Sequence, residues 1–463
     1  MWSVTSLPSP LLHAVGERKR RIALVLGAGC SLEHPTNLKL ASVYSQEAHD
    51  MLVRDGDLSS GDCATPGDLS ALASAVKAKK GGQSALVKCL PRPDFRMAQA
   101  NDGYLVAAVL LREGVIETVM TLNFDLAMSH ALGSISATDV SVVPGPMSAD
   151  ELGGATVIYL HRNVEEQDLE QWILTVEALD SQWQEGWEGV VAARVIASPV
   201  VVFAGLGSPA AVLTKTVEKV RKGVLATHKV YVVDPSPTSA FEAALDVPDE
   251  AHIQMPWCPF AHELADRLLA EFRVELVRRG LDLCADHGWH SEAATLPDLV
   301  DRFHAGGLVT VGRIRARWLL DDQQYLPEEA PRAFVADLLL GVGVAERGSG
   351  TEARFRDDGV VELINNGSVA TTVFPVSGRG TQRWLALEAR ALQHVKRLDA
   401  ALRPEHVLVC GTPGSAGGAV SPPEDLVRGT VTDDIIEGFG RPRFVSADSL
   451  RTNPRAATGL VAR

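Results

Sequence analysis

Short apolar runs alternate with amphipathic stretches along the first half of the chain. Residues 21–26, Arg-Ile-Ala-Leu-Val-Leu, form a short run that is apolar from Ile22 onward, which is typical of a strand buried on both faces of a parallel sheet. The same reasoning predicts strands at 115–122, 141–143, 155–160, 200–204 and 229–233, and helices at 38–52, 103–112, 124–132, 174–198 and 209–223. Because strands that alternate with helices pair in parallel, residues 21–240 are predicted to form a doubly wound, mainly parallel α/β sheet.

The segments outside this alternation carry weaker patterns. Residues 1–20 are predicted to be a loose lead-in, and residues 55–95, rich in Gly, Ser, Pro and Lys, an irregular insertion. Residues 241–463 are predicted to be a separate α+β C-terminal region, with room for two subdomains. Within it, helices are expected at 262–279 and in 295–345, and strands in 346–379 and at 406–410.

Composition narrows the range of partners. The 463 residues hold 44 Lys and Arg against 58 Asp and Glu, a net charge of −14. Since Lys and Arg drive binding to phosphate backbones, this balance argues against direct nucleic-acid binding. The uncharged stretch 195–213 is interrupted by Pro199, Gly205 and Pro209, so a buried strand and a turn are expected there and no membrane span.

The six cysteines are spread along the chain and include no C-x-x-C pair. A zinc ribbon built from two such pairs is therefore excluded, and no metal is expected. A disulfide framework is not expected at this length and cysteine density, which indicates a cytoplasmic protein. The basic cluster at 18–21 follows the mildly apolar start of the chain, which is not the order of a secretory signal.

A small-residue turn follows the first predicted strand. It comprises Gly27, Ala28, Gly29, Cys30 and Ser31, just before a predicted helix. Glycine lets a backbone approach a phosphate closely, and a helix N-terminus offers N–H groups to an anion. The turn lacks the third glycine of the usual dinucleotide fingerprint, so a tight strand-to-helix turn is the alternative.

Two further predicted strands end in polar residues. Asn123 and Asp125 follow one of them, where an amide and a carboxylate can hold a ribose and a water; an Asx-type helix cap is the alternative. His161 follows another, and histidine is the side chain best suited to acid–base chemistry near neutral pH. A lone histidine is more often structural.

The last two strands of the predicted sheet carry similar features. The strand at 200–204 ends in a small-residue turn that contains Gly205 and Ser208. The strand at 229–233 is followed by Asp234, an acidic residue placed where it can bind an adenosine ribose. Ligands of such sheets bind at the carboxyl ends of the strands, and all of these residues lie there.

In their order and spacing, these motifs resemble the sirtuin-like superfamily of NAD-consuming domains. Members read G-A-G-x-S, T-x-N-x-D, L-H-G and then a strand with G-x-S, and the resemblance covers residues 20–240. It implies a Rossmann-like sheet and cleavage of the nicotinamide–ribose bond of NAD as substrate. His161 would be the general base, Asn123 would orient a water or ribose hydroxyls, and Asp125 would support the nicotinamide pocket.

The resemblance also implies how the rest of NAD would be held. The residues that would face its pyrophosphate and nearby ribose are Gly27, Ala28, Gly29 and Ser31. The residues that would lie near the adenosine ribose and phosphates are Gly205, Ser208 and Asp234.

Two departures distinguish the chain from the protein deacylases of this family. It has no paired C-x-x-C module, and Leu122 replaces the glutamine of their T-Q-N-x-D motif. Both departures favour the bacterial members that hydrolyse NAD in anti-phage defence. For that branch the resemblance implies NAD depletion, a homo-oligomer, a protein partner from the same defence system and a regulatory or oligomerisation role for residues 241–463.

A third departure bears on catalysis. Arg162 follows His161 where the family has glycine, so this side chain either crowds the site or contacts a phosphate. The alternative function is therefore a catalytically inactive nucleotide-binding scaffold or sensor subunit of a defence complex. A deacylase is a third, less favoured alternative.

Overall fold

The apolar runs of the first half become the strands of a single parallel sheet in the computed structural model of the chain. The structure describes residues 7–207, 211–223, 228–237, 240–318, 329–377, 384–410, 441–453 and 460–461. The chain divides into two compact units, Met1–Arg267 and Leu268–Arg463. Each unit has its own sheet, in agreement with the predicted α/β region followed by a separate α+β region.

The sheet of the first unit has seven strands in the order β3-β4-β2-β1-β5-β6-β7. Their bounds are β1 Ile22–Leu26, β2 Ile116–Thr121, β3 Ser141–Val143, β4 Thr156–Tyr159, β5 Val200–Ala204, β6 Lys229–Val233 and β7 His252–Ile253. All neighbouring pairs are parallel, and every residue of the adjacent strands β1 and β5 is buried. The doubly wound parallel fold class is confirmed, and the strand order reverses at β1.

Helices flank this sheet and connect its strands. They are α1 Ser9–Glu17, α2 Ala41–Arg54, α3 Leu69–Lys80, α4 Ser84–Cys89, α5 Arg92–Met97, α6 Asp102–Arg112, α7 Ala127–Ser134, α8 Val176–Glu185, α9 Trp187–Ile196, α10 Ala211–Gly223, α11 Ala240–Leu245 and α12 Trp257–His287. The single helix predicted at 174–198 is two helices, because Gly186 separates α8 from α9 in an extended conformation.

The prediction of an irregular insertion at residues 55–95 is wrong, because the segment contains α3, α4 and the start of α5. Asp68 caps α3 by accepting hydrogen bonds from the backbone N–H groups of Ser70 and Ala71, and Gly81 ends it at a φ of 80°. Leu72 and Val76 are fully buried. The Gly and Ser that suggest a loop therefore act as helix boundaries, and the amphipathic stretches between them are short.

The first residues are also more ordered than predicted. Among the described residues of the lead-in, α1 occupies Ser9–Glu17 and buries Leu11, Ala14 and Val15. The i, i+3, i+4 spacing of these three residues places them on one helix face, so the segment gains a packed apolar surface.

The second unit is a mixed α+β structure. Its helices are α13 His290–His304, α14 Gly307–Trp318, α15 Glu329–Ser349, α16 Trp384–Lys396 and a last helix at Ala447–Thr452. Its strands are β8 Glu352–Phe355, β9 Val361–Asn365, β10 Ser368–Ser377, β11 His406–Cys410 and β12 Arg443–Ser446, in the order β12-β11-β10-β9-β8. The strands β8 to β10 pair antiparallel, whereas β10 to β12 pair parallel. No helix within the described ranges is long and apolar enough to cross a membrane.

Truncation of Leu11 tests whether α1 is part of the folded unit. We expect Leu11→Ala to lower the free energy of unfolding by about 3 kcal/mol, because this fully buried side chain would leave a cavity. His13→Ala, at an exposed position of the same helix, should change it by less than about 0.5 kcal/mol. Urea denaturation of the full chain measures both values; equal small effects would show that α1 contributes little to stability.

Candidate functional site

Three loops meet at the carboxyl edge of the first sheet, where the strand order reverses. They follow β1, β2 and β5, and β1 lies between the other two strands. The Gly27 N–H donates to Ala204 O at 2.9 Å, and the Leu122 N–H donates to Leu26 O at 2.9 Å. Ligands of open parallel sheets bind in the crevice at such a reversal. The topology thus brings the first, second and fourth sequence motifs together.

Glycine is required where the loop after β1 approaches the loop after β5. The Gly29 N–H donates to Gly205 O at 2.9 Å, and a Cβ on Gly29 would lie 2.7 Å from Gly205 Cα. Gly205 has a φ of 67°, and its own Cβ would lie 2.5 Å from Cys30 N. A Cβ on Gly27 would lie 2.6 Å from Gly205 O, so this position also requires a residue without Cβ. These glycines therefore allow two backbones to pack together, a role that the sequence alone did not indicate.

Asn123 is held in one orientation by its amide nitrogen. Nδ2 lies 3.0 Å from Gly27 O, and a carbonyl oxygen only accepts hydrogen bonds, so the NH2 group must face it. The same nitrogen lies 3.2 Å from the hydroxyl oxygens of Ser31 and Tyr104. Within the described part of the chain, no group donates to Oδ1 of Asn123. This oxygen therefore remains available as an acceptor for a ligand or a water.

The hydrogen bonds continue from Asn123 to Asp125 in a defined direction. The Ser31 hydroxyl donates to Asp125 Oδ2 at 2.9 Å, so Ser31 Oγ must accept from the Tyr104 hydroxyl at 2.8 Å. Asp125 Oδ1 accepts from the Ala127 N–H at 3.0 Å, at the start of α7. Burial raises the pKa of the Asp125 carboxyl, although these hydrogen bonds act in the opposite direction. Asp125 thus accepts a hydrogen bond at the start of α7, as the Asx-type alternative expects, and also forms the end of the network.

Tyr104 is the member of this network that sequence reasoning missed. It lies in the first turn of α6, where Asn101 caps the helix by accepting from the Tyr104 N–H at 3.2 Å. The Asn101 side chain also donates to Cys30 O at 2.8 Å and so ties α6 to the turn after β1. No local pattern in the sequence of α6 indicates that Tyr104 contacts Ser31 and Asn123. The only available signal was Asn101, a residue type that commonly caps helices.

His161 follows β4, on the other side of β2 from β1. Its Nε2 atom is buried and has no hydrogen-bond partner among the described residues, and its ring meets the Trp183 ring edge-on at 6.3 Å between centroids. Burial, and then the charge of Arg162, lowers the pKa of His161 to about 4. The imidazole is therefore neutral at pH 7. No hydrogen bond of the described structure joins it to the Asn123 network.

Among the described residues, Arg162 makes no side-chain hydrogen bond to this network. Its Nη1 lies 2.9 Å from Glu188 Oε1 in α9, and both residues are buried. Its backbone has a φ of 76°, a left-handed conformation that costs an arginine about 1–2 kcal/mol and a glycine almost nothing. The arginine therefore occupies a glycine-type turn and lies in a buried ion pair.

Asp234 lies directly after β6, next to the Gly205 turn. The Gly205 N–H donates to Val233 O at 3.4 Å, which places the ends of β5 and β6 side by side. Asp234 Oδ1 accepts from the Ser236 N–H at 2.8 Å in a local turn, which leaves Oδ2 for other partners.

Of the remaining predicted site residues, Ala28 lies in the short helical turn Ala28–Ser31. Ser208 lies outside the described residues.

A cavity of about 910 Å³ is found elsewhere in the first unit. Residues of α1, β6, β7 and α12 line it, among them Pro10, Tyr231, His252 and Glu263, and none of the predicted site residues does. Its volume is in the range of ligand pockets, and the charged residues that line it are of both signs. No three His, Cys, Asp or Glu side chains in the described ranges form a metal-ligand group.

Comparisons with known proteins find similar solved structures but no matching family model. No protein-family model and no curated protein matches the chain. Among solved structures, a complex of a Sir2 homolog with NAD is similar at 16% identity and a TM-score of 0.34, over 58% of this chain and 96% of that one. A sirtuin structure on substrate affinity (16%, TM-score 0.32) covers 56% of this chain and 98% of its own. A Sir2–p53 peptide–NAD+ structure (17%, TM-score 0.32) covers 56% and 97%. These are structures of the family that the ordered motifs resemble.

The contact between Gly29 and Gly205 predicts a sharp difference between neighbouring glycines. We expect Gly205→Ala to lower the free energy of unfolding by more than about 2 kcal/mol, because Cβ would clash with Cys30 at a positive φ. Gly207→Ala is the matched control: a Cβ there meets nothing within 4 Å, so less than about 0.5 kcal/mol should be lost. Urea denaturation compares the two; equal losses would contradict the packing role.

The lowered pKa of His161 predicts a pH-dependent stability. Between pH 6.5 and pH 4 the unfolded chain protonates this histidine while the folded chain does not, so the folded state loses stability as the pH falls. From pH 7 to pH 5, wild type should lose about 2 kcal/mol more than His161→Gln does. His13→Gln, at an exposed position, should lose as much as wild type. Parallel curves for wild type and His161→Gln would show that His161 is not buried as a neutral group.

Proposed function

We propose that the chain is a sirtuin-like NAD hydrolase that cleaves the nicotinamide–ribose bond. The observation that carries this proposal is the anchored amide of Asn123, whose NH2 group is held by Gly27, Ser31 and Tyr104. A pre-oriented acceptor oxygen at the carboxyl edge of a parallel sheet suits a ribose hydroxyl or an attacking water. A flexible amide would lose that orientation.

In the proposed reaction, water attacks C1′ of the nicotinamide ribose as the bond from C1′ to the nicotinamide nitrogen breaks. That bonding electron pair leaves with nicotinamide, which becomes neutral, and one proton of the water is released. The transition state has oxocarbenium character, so the carboxylate and amide dipoles of Asp125 and Asn123 would stabilise it. His161, neutral at pH 7, would take the proton as general base.

NAD would lie across the edge where the loops after β1, β5 and β6 meet. The turn of Gly27, Ala28, Gly29 and Ser31 would face the pyrophosphate. Gly205, Ser208 and Asp234 would lie near the adenosine ribose, and the second oxygen of Asp234 would accept from a ribose hydroxyl. The orphaned Nε2 of His161 supports this fit, since a buried polar atom needs a partner that a ligand or water can supply.

One observation favours a second candidate, a catalytically inactive nucleotide-binding scaffold or sensor subunit. His161 is not hydrogen-bonded to the Asn123 network in the described structure, and a base must come within about 3 Å of the water that it deprotonates. A site that binds NAD without this approach would hold the nucleotide and leave it intact.

Because the motifs resemble those of the bacterial defence members, we propose that the hydrolase acts in anti-phage defence, in the cytoplasm. Hydrolysis of NAD without control would kill the host, so the activity would be gated. The second unit, with its own sheet, is proposed to supply that control as a regulatory or oligomerisation domain, together with a protein partner of the same system and a homo-oligomeric assembly.

NAD turnover by the purified full chain tests the reaction. With nicotinamide release measured by chromatography, we expect Asn123→Ala and His161→Ala to lower kcat by at least ~100-fold, since each removes a group that acts in the transition state. Asn365→Ala and His13→Ala are matched controls at exposed positions and should retain wild-type turnover.

Calorimetric titration with NAD separates the two candidates. The wild-type chain is tested alone and together with the proposed protein partner. If it binds NAD but releases no nicotinamide in either case, the result supports the inactive nucleotide-binding subunit. A chain that shows no NAD binding and no NAD turnover would contradict both candidates.

A further inference from the structure

A buried ion pair lies directly beside the candidate base. Arg162 is 5% exposed and Glu188, in the first turn of α9, is 1% exposed; Nη1 of the arginine lies 2.9 Å from Oε1 of the glutamate. Removing one charge of a buried pair leaves the other without compensation, so such pairs hold their two elements together firmly. This pair joins the turn after β4 to α9.

The path of the arginine side chain is enclosed. A Cβ on Gly145 would lie 3.1 Å from Arg162 Cδ, so the side chain passes where this glycine leaves room. At the backbone, the Arg162 N–H donates to Tyr159 O at 3.3 Å, which closes the left-handed turn. The guanidinium therefore lies against Glu188.

The same part of the structure also holds His161. The α8–α9 corner, residues Trp183 to Gly189, contacts the imidazole through Trp183 and the arginine through Glu188. The corner is tight, because a Cβ on Gly189 would overlap the Trp183 carbonyl oxygen. Two adjacent residues of the turn are thus fixed by one rigid element.

We propose that the Arg162–Glu188 ion pair is a positioning pair for His161, which locks the turn after β4 onto the α8–α9 corner and so gives the imidazole one orientation. The inference rests on the proposed role of His161 as general base. Because Arg162 follows His161 directly, a change in its left-handed backbone rotates the preceding residue. The ion pair replaces the conformational freedom of a glycine with a fixed geometry.

Electrostatics provides a reporter of this coupling. After burial, the charge of Arg162 is what lowers the pKa of His161. Trp183 from α8 and Ile173, whose N–H donates to His161 O at 3.4 Å, contact the residue and carry no charge, while Glu188 faces the arginine. Loss of the arginine charge and of the tight corner should both raise the pKa of His161 toward its ordinary value.

The experiment compares Arg162→Gln, Glu188→Gln and the conservative Arg162→Lys in the full chain. The control is Asp139→Asn, which breaks another ion pair of the same unit, Arg112 Nε to Asp139 Oδ1 at 2.9 Å. NMR of the His161 ring Cε1–Hε1 group, assigned by its loss in His161→Gln, is followed against pH, together with Tm, kcat and KM for NAD.

We expect Arg162→Gln to raise the pKa of His161 by at least one pH unit. Arg162→Gln and Glu188→Gln should both shift the ring resonance and lower kcat at least tenfold, with KM changed less than threefold. Arg162→Lys should recover part of both effects, and Asp139→Asn should lower Tm alone.

If all variants keep the wild-type His161 titration and ring shift, the pair is only structural and the proposal is overturned. Wild type without NAD turnover would contradict the proposed function, and the NMR titration would still decide the positioning role.

Discussion

The close approach of the loop after β1 to the loop after β5 is the constraint on which the candidate site depends. It requires a residue without Cβ at Gly29 and at Gly205, since either Cβ would enter the other backbone. This contact lies where the strand order reverses, and the turn that makes it also carries Ser31 and the Gly27 carbonyl. The hydrogen bonds that orient Asn123 therefore depend on a steric condition set by the glycines.

In the polar network built on this contact, the donor groups of Asn123, Tyr104 and Ser31 all have acceptors. Its hydroxyl and amide groups are buried, and burying such groups without partners costs free energy, whereas a satisfied network is rigid. The direction of donation runs from Asn123 and Tyr104 through Ser31 to Asp125, because carbonyl and carboxylate oxygens only accept. This polarity is what leaves one oxygen of Asn123 available.

The turn after β4 is held by an ion pair and by packing, in contrast to the hydrogen-bonded network around Asn123. A glycine would adopt the left-handed conformation at no steric cost, whereas Arg162 adopts it with strain and gains a buried partner in Glu188. Backbone strain of this kind persists only where the surroundings over-determine the conformation. Gly145 and the α8–α9 corner supply that surrounding structure.

The sequence alone determined six strands of the first sheet, the parallel α/β class and the residues that end those strands at one edge, because apolar runs and the spacing of polar residues after them are local properties. The short strand β7 was not predicted. The sequence also misjudged residues 55–95, where short amphipathic helices lie between Gly and Ser boundaries. Only the tertiary structure decided that Tyr104 joins the Asn123 network, that Arg162 pairs with Glu188 and that the glycines pack against each other. Each of these contacts joins residues distant in the chain, and whether two such residues meet depends on how the helices and strands pack, which no local pattern specifies.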